Sequence, residues 1–343
     1  MNPTSGGVMD ADITRRNVSD GAGMILLGAC AGWSLITAAA QGGRPEGMLL
    51  AILAVTAGYA AGRVSGALLP AAAPCAGAAA GLTLVVVLPG LSPSSRYAAP
   101  LGHAGAAAAL LALATGAAAC AAWATPVPAL RLGLRALAVG IVLAGAALGL
   151  VAGCAAGALV LLCSLAAGSA PRRGVCLLAL AVAVALTAGT TWAIAADALP
   201  DGISGILEGR IGPYRIQLWQ DALRLAGANR TLGVGPGRFG ELSHGVPGKP
   251  HSAPLQQAAE QGLAGLFLLI VAFGWVLYAL WRTPRSTPVA LTAGAALAGL
   301  AILATVSNAL SFTPVTAGAG LVAGWATARP WTSAGPRPDN DEQ

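Results

Sequence analysis

Charge is what this chain has least of. Only 9% of its 343 residues are Asp, Glu, Lys or Arg, where a soluble domain carries roughly a quarter. So few ions cannot make a water-facing surface, and soluble globular classes are set aside. Histidine is scarce as well, with 3 residues, and aromatics amount to 5%. The six cysteines, Cys30, Cys75, Cys120, Cys154, Cys163 and Cys176, show no CxxC spacing and lie in or beside apolar segments. That placement argues against a zinc module or a disulfide scaffold and for small buried hydrophobes. The short alternating segments of a transmembrane barrel are missing too.

Long hydrophobic runs fill the space that charge leaves. The chain is 56% hydrophobic with a mean hydropathy of +0.72, and runs of about 20 apolar residues recur, the length of a helix that crosses a bilayer. The fold class expected is all-α, a polytopic helical membrane protein of about ten spans. They fall near 21–40, 46–62, 67–90, 101–124, 132–150, 152–170, 174–196, 262–281, 289–308 and 312–328. The apolar stretch between Arg131/Arg135 and Arg172/Arg173 has basic ends and about twice the length of one crossing, so it must turn back, between Gly149 and Gly157. A second break is expected near Asn308, Ser311 and Pro314.

The net charge of +6 is not a nucleic-acid signal, because the basic residues sit singly or in pairs at the ends of apolar runs. With a cytoplasmic N-terminus, Arg15, Arg16, Arg63, Arg131, Arg135, Arg172, Arg173, Arg282, Arg285, Arg329 and Arg337 collect inside, against Arg44 and Arg96 in short outside loops. This sidedness divides the chain into a cytoplasmic segment (1–20), spans one to seven (21–196), a long external loop (197–261), spans eight to ten (262–328) and a disordered cytoplasmic tail (329–343). Both termini are then cytoplasmic. Residues 1–20 are polar and no persuasive cleavage site follows Met24–Ala40, so the first span is expected to be retained. Small residues at Gly145, Gly149, Gly153 and Gly157 are expected to let helices pack closely.

The external loop concentrates the polar chemistry. Tyr214 to Ala226 reads as an amphipathic helix, begun by Pro213 and carrying Ile216, Trp219, Leu223 and Ala226 on one face. Trp219 suits the lipid headgroup level. Arg215, at the edge of that face, can reach a headgroup, while Arg224 points to water. The run from Gly233 to Gly240 lacks a phosphate loop's Lys-Ser/Thr ending; it is a tight turn that leaves backbone N–H groups open beside Arg238. His251 precedes a helix start at Ser252 and Pro254, with Lys249 close by. Helix end and ammonium both disfavour the imidazolium, so the ring should be neutral and able to accept a proton. His244 and His103 are read as surface or packing residues.

Three pieces of this loop resemble one family. Arg215-Ile-Gln-Leu-Trp219, Leu232-Gly-Val-Gly-Pro-Gly-Arg-Phe239, and His251 through Leu255-Gln to Glu260-Gln-Gly-Leu-Ala-Gly265 are similar, in this order, to the signature of the O-antigen ligase and polymerase family. Ser252 stands where the family has Asn, and the family's intramembrane Ser-Arg-Gly element has no arginine here. The resemblance implies a membrane glycosyltransferase that moves or polymerises a glycan from undecaprenyl diphosphate onto an acceptor hydroxyl, at the outer face of the cytoplasmic membrane. It implies that His251 orients or deprotonates the acceptor and that Arg215 binds the donor diphosphate. Arg210, Arg238 and Lys249 are further phosphate candidates, and Glu260 and Trp219 support the site.

Those residue types suit the chemistry. A departing diphosphate needs fixed cations, which arginine supplies bidentately, and a neutral histidine assists attack at the anomeric carbon. The loop has no Asp-x-Asp pair, so the expectation is a metal-independent enzyme without cofactor, and a single direct displacement would invert the anomeric carbon. Its partners would be a lipid-linked donor, a hydroxyl acceptor on lipid, polysaccharide or protein, and membrane lipids, with no nucleic acid. The alternative is a transporter or flippase of a lipid-linked or small polar substrate. Such a protein would carry ionisable residues within its spans, and these spans have almost none.

Overall fold

A computed structural model describes residues 4–91, 100–170, 172–198, 212–243 and 248–329, with side chains described throughout except at 4–20, 88–91 and 100–103. The described residues are helical and contain no strand. In chain order the helices are α1 (Thr4–Gln41), α2 (Glu46–Leu68), α3 (Ala72–Leu91), α4 (Pro100–Ala124), α5 (Pro128–Ala147), α6 (Val151–Ala166), α7 (Arg173–Ala195), α8 (Pro213–Ala228), the single turn α9 (Phe239–Leu242), α10 (Ala253–Arg282), α11 (Thr287–Val306) and α12 (Thr313–Thr327). Among the described residues, eight helices are long and apolar enough to cross a membrane, while the apolar part of α3, Ala72–Val87, and the 15-residue α12 are shorter. The chain is a multi-pass helical membrane protein by this measure. His103 and the polar tail lie outside the residues whose side chains are described.

Two helices make the centre. In α4 and α11, 83% of the apolar window is buried, against 11–28% in the other six spanning candidates. Both are built of Ala, Gly, Leu and Thr on every side, and a helix with no polar face belongs inside a bundle. The surrounding helices turn Leu53, Leu143, Val151, Leu162, Leu178, Leu186, Phe267 and Ile270 outward, an apolar exterior that suits hydrocarbon and not water. The tightest approach joins α2 to α12. A Cβ on Gly62 would sit 2.5 Å from the Leu321 carbonyl oxygen, and one on Gly324 2.4 Å from that of Tyr59, so only glycine lets these backbones meet.

The turns fall near the expected breaks with two differences. The α5–α6 reversal is confined to Leu148–Leu150, with Gly149 at φ 70°. Gly153 and Gly157 lie inside α6 instead, where a Cβ on Gly153 would be 2.9 Å from the Cα of Ala108 in α4. Arg63, read as the end of the second span, is also inside α2, where its guanidinium donates to the Tyr59 hydroxyl at 3.2 Å. The later break runs from Ser307 to Phe312 through a short 3-10 turn.

Arginines knit one end of the bundle. Arg173 donates to the carbonyls of Thr283 (2.8 Å) and Arg285 (2.6 Å). Arg285 in turn reaches Gly66 O at 2.6 Å and Ala328 O at 2.8 Å. The start of α7 and the ends of α2, α10 and α12 therefore share that end. The link between α1 and α2 meets the 230–241 segment at the other.

Candidate functional site

Helix α8 forms as its apolar spacing requires, and protein covers its apolar face. Leu218, Trp219 and Ala222 pack with Ala195 at the end of α7, Phe239 of α9, and Leu255 and Ala259 of α10. Trp219 is 1% exposed, and its indole N–H has no partner among the described residues. The apolar face read as resting on the membrane is therefore packed on protein: helical periodicity shows that a face is apolar, and here α7 and α10 cover it. Arg224 is exposed beside Asp221 at 3.0 Å. Arg215 is half-buried and donates to the Val306 carbonyl at 3.1 Å, the last residue of α11, where carbonyls lack intrahelical donors and the dipole is negative. Burial weakens its hold on its proton, though a guanidinium stays charged.

The glycine turn answers a break in α10. Gly262 adopts φ 69° and ψ −171°, a conformation essentially restricted to glycine, and the helix kinks there. The carbonyls just before the kink lose their helical partners and find others. Val234 N–H donates to Ala259 O and Gly235 N–H to Glu260 O, each at 2.9 Å, while the Trp33 indole donates to Gln261 O at 3.0 Å. Leu263 N–H, beyond the kink, goes to Arg230 O at 2.8 Å. The Glu260 carboxylate accepts from Gln256 Nε2 at 3.3 Å and from the backbone N–H groups of Gly237 and Phe239.

Open N–H groups beside Arg238 were expected in this turn, and the turn instead spends the N–H groups of Val234, Gly235, Gly237 and Phe239 on α10 and Glu260. Arg238 is engaged as well. It donates to the Gln41 carbonyl at the end of α1 and lies 3.7 Å from Glu241. Arg44 completes the clamp, its N–H on Pro236 O at 2.7 Å and its guanidinium 3.8 Å from Glu241.

His251 stands immediately before α10 with φ 49°, a left-handed conformation uncommon outside glycine but enriched in histidine. The ring is half-buried. Burial comes first among the causes that hold its pKa below the ordinary 6.5, followed by the positive charges of Arg215 and Lys249. It is neutral at pH 7. Ser252 occupies the N-cap position but makes no capping bond; the residue is 1% exposed and its hydroxyl finds no partner among the described residues. Lys249 also acts on Glu260.

Arg215, Lys249 and His251 thus share one electrostatic neighbourhood. The buried Glu260 feels Lys249 as well, whereas Arg238 is engaged with Gln41 O and Glu241 and Trp219 is packed among α7, α9 and α10. Arg210 and His244 lie outside the described residues. The Val306 carbonyl, Trp33, Gln41 and Arg44 were not anticipated, and of these Arg44 carried a signal, as a lone charge between two apolar runs. No family model matches the chain, and neither the curated proteins nor the solved structures yield a match. Chemically, a neutral imidazole beside two cations is suited to taking a proton from a hydroxyl next to an anionic ligand.

Proposed function

We propose that this protein is a glycosyltransferase of the O-antigen ligase kind, acting at the outer face of the cytoplasmic membrane on an undecaprenyl-diphosphate-linked glycan. In this reading ten segments span the membrane, α3 and α12 included. Both termini are cytoplasmic, and residues 197–261 face outward. His251 Nε2 or Nδ1 removes the acceptor's hydroxyl proton as the oxygen attacks the anomeric carbon. The bond from that carbon to the diphosphate oxygen breaks, and the diphosphate leaves on the lipid. Arg215 and Lys249 balance its charge, and the imidazolium returns its proton to water. One displacement inverts the anomeric centre. The motif does not distinguish a ligase, which moves a finished chain, from a polymerase, which joins repeat units.

One observation supports this reading above the rest. Three stretches separated in sequence, around Arg215, Gly235 and His251–Gly262, meet at the same end of the bundle, where the charges of Arg215 and Lys249 act on a half-buried imidazole. The test is transfer from a lipid-diphosphate glycan in proteoliposomes. His251→Ala and Arg215→Ala are each expected to lower turnover by about a hundredfold or more without changing membrane insertion. Wild-type transfer by either variant sinks the assignment.

A further inference from the structure

At the arginine-rich end, far from His251, α7 and α10 part to leave an open groove of about 600 Å³. Leu177, Leu178, Ala181 and Leu277 form its walls, and Arg172, Tyr278 and Trp281 stand at its mouth. α7 is 23 residues long, so this mouth lies roughly 35 Å from the end of α7 that packs on Trp219. Arg173 is committed to the carbonyls of Thr283 and Arg285, whereas Arg172 is exposed. The Tyr278 and Trp281 rings meet edge to face with centroids 5.9 Å apart, and Arg282 lies over Trp281 at 5.9 Å.

We propose that this groove is a binding site for an anionic glycerophospholipid. One acyl chain lies between α7 and α10, and the phosphate is held at Arg172 with Arg282 beside it. Three features on the surface of a membrane-spanning bundle point to that occupant. The walls are hydrocarbon and open sideways, which suits a chain and not a solvated ligand. The rim carries Tyr and Trp, the residues of the headgroup level. The charge at the rim is positive, which complements a phosphate diester and discriminates against a zwitterion. The floor has room: a Cβ on Gly274 would meet no atom within 4 Å. This site is independent of the glycan-transfer proposal.

The experiment titrates delipidated protein with phosphatidylglycerol or phosphatidylcholine of identical chains and counts bound lipid by native mass spectrometry. Wild type is expected to prefer phosphatidylglycerol by about fivefold, the effect of about one basic residue near a phosphate. Arg172→Gln removes that preference, and Gly274→Leu fills the groove and removes the bound molecule of both lipids. Gly140→Leu, at an outward position with nothing within 4 Å of its Cβ, changes neither. Unchanged binding in Gly274→Leu, or a preference that survives Arg172→Gln, overturns the proposal. So does wild type that retains a polyprenyl phosphate there in place of phospholipid.

Discussion

Replacing Gly262 by alanine sets the helix break against the contacts that depend on it. At φ 69° a Cβ would lie 2.3 Å from the Thr231 carbonyl oxygen and 2.8 Å from that of Arg230. Two responses are open. If the break persists, alanine adopts a conformation that costs about 1–3 kcal/mol, and residues 230–231 move aside. If α10 straightens, the carbonyls at 259–261 regain helical donors, but Val234 N–H, Gly235 N–H, the Trp33 indole and Arg230 O lose their partners. Val234 and Gly235 are buried, and stranding buried groups costs about 1–3 kcal/mol each. The first response is therefore cheaper, and the strain falls on the junction between the glycine turn and α10. A local loss of about 3 kcal/mol corresponds to exchange of the Val234 and Gly235 amides faster by about two orders of magnitude. Hydrogen exchange read by mass spectrometry over residues 230–241 in nanodiscs measures this. Gly274→Ala, in the same helix with open space at its Cβ, is expected to leave that segment unchanged. Wild-type exchange in Gly262→Ala, or equal acceleration in both variants, refutes the reasoning.

Two other outcomes are expected. Burial and two cations hold His251 below 6.5, so the acid limb of a pH–rate profile should lie below that value, and Lys249→Gln should move it upward. The unfolded chain binds the proton first, so this group's contribution to stability declines as pH falls below 6.5. An acid limb that Lys249→Gln leaves in place would remove Lys249 from the site. Arg285→Gln cannot span both Gly66 O and Ala328 O and should cost about 2–4 kcal/mol. Arg282→Gln, an exposed residue, should cost within about 0.5 kcal/mol, and thermal unfolding in detergent separates the two.

The helices were legible because hydrocarbon imposes length and composition on every span, and a lone arginine or glycine then marks most turns. Arg63 misled because a guanidinium near a helix end can be satisfied by a tyrosine one turn back, so charge marks an end only to within a turn or two. The burial of α4 and α11 was less visible, since a lipid-facing helix and a central helix are equally apolar. In lipid the polar side no longer tells outside from inside. α8 failed for the same reason in reverse. Its apolar face was read correctly, but nothing in Ile216, Trp219 or Ala226 says whether lipid or protein lies against it.

The glycine turn shows how a polar-looking motif can serve the backbone. Its N–H groups and Arg238 looked like anion ligands because those residue types recur in phosphate loops. In the fold they satisfy carbonyls: two at the kink of α10, one at the end of α1, and the buried carboxylate of Glu260. The kink is the reason such a loop is needed, since a helix broken at Gly262 presents carbonyls that must find donors elsewhere, two from the turn and one from Trp33. Once those groups are assigned, the described cations that act on His251 reduce to Arg215 and Lys249. Arg215 is pinned by its bond to Val306 O at the end of α11, so His251 feels a cation fixed to the central helix and precedes a helix whose kink is fixed by the glycine turn. Displacement of either support should therefore change the imidazole's proton affinity without touching the ring.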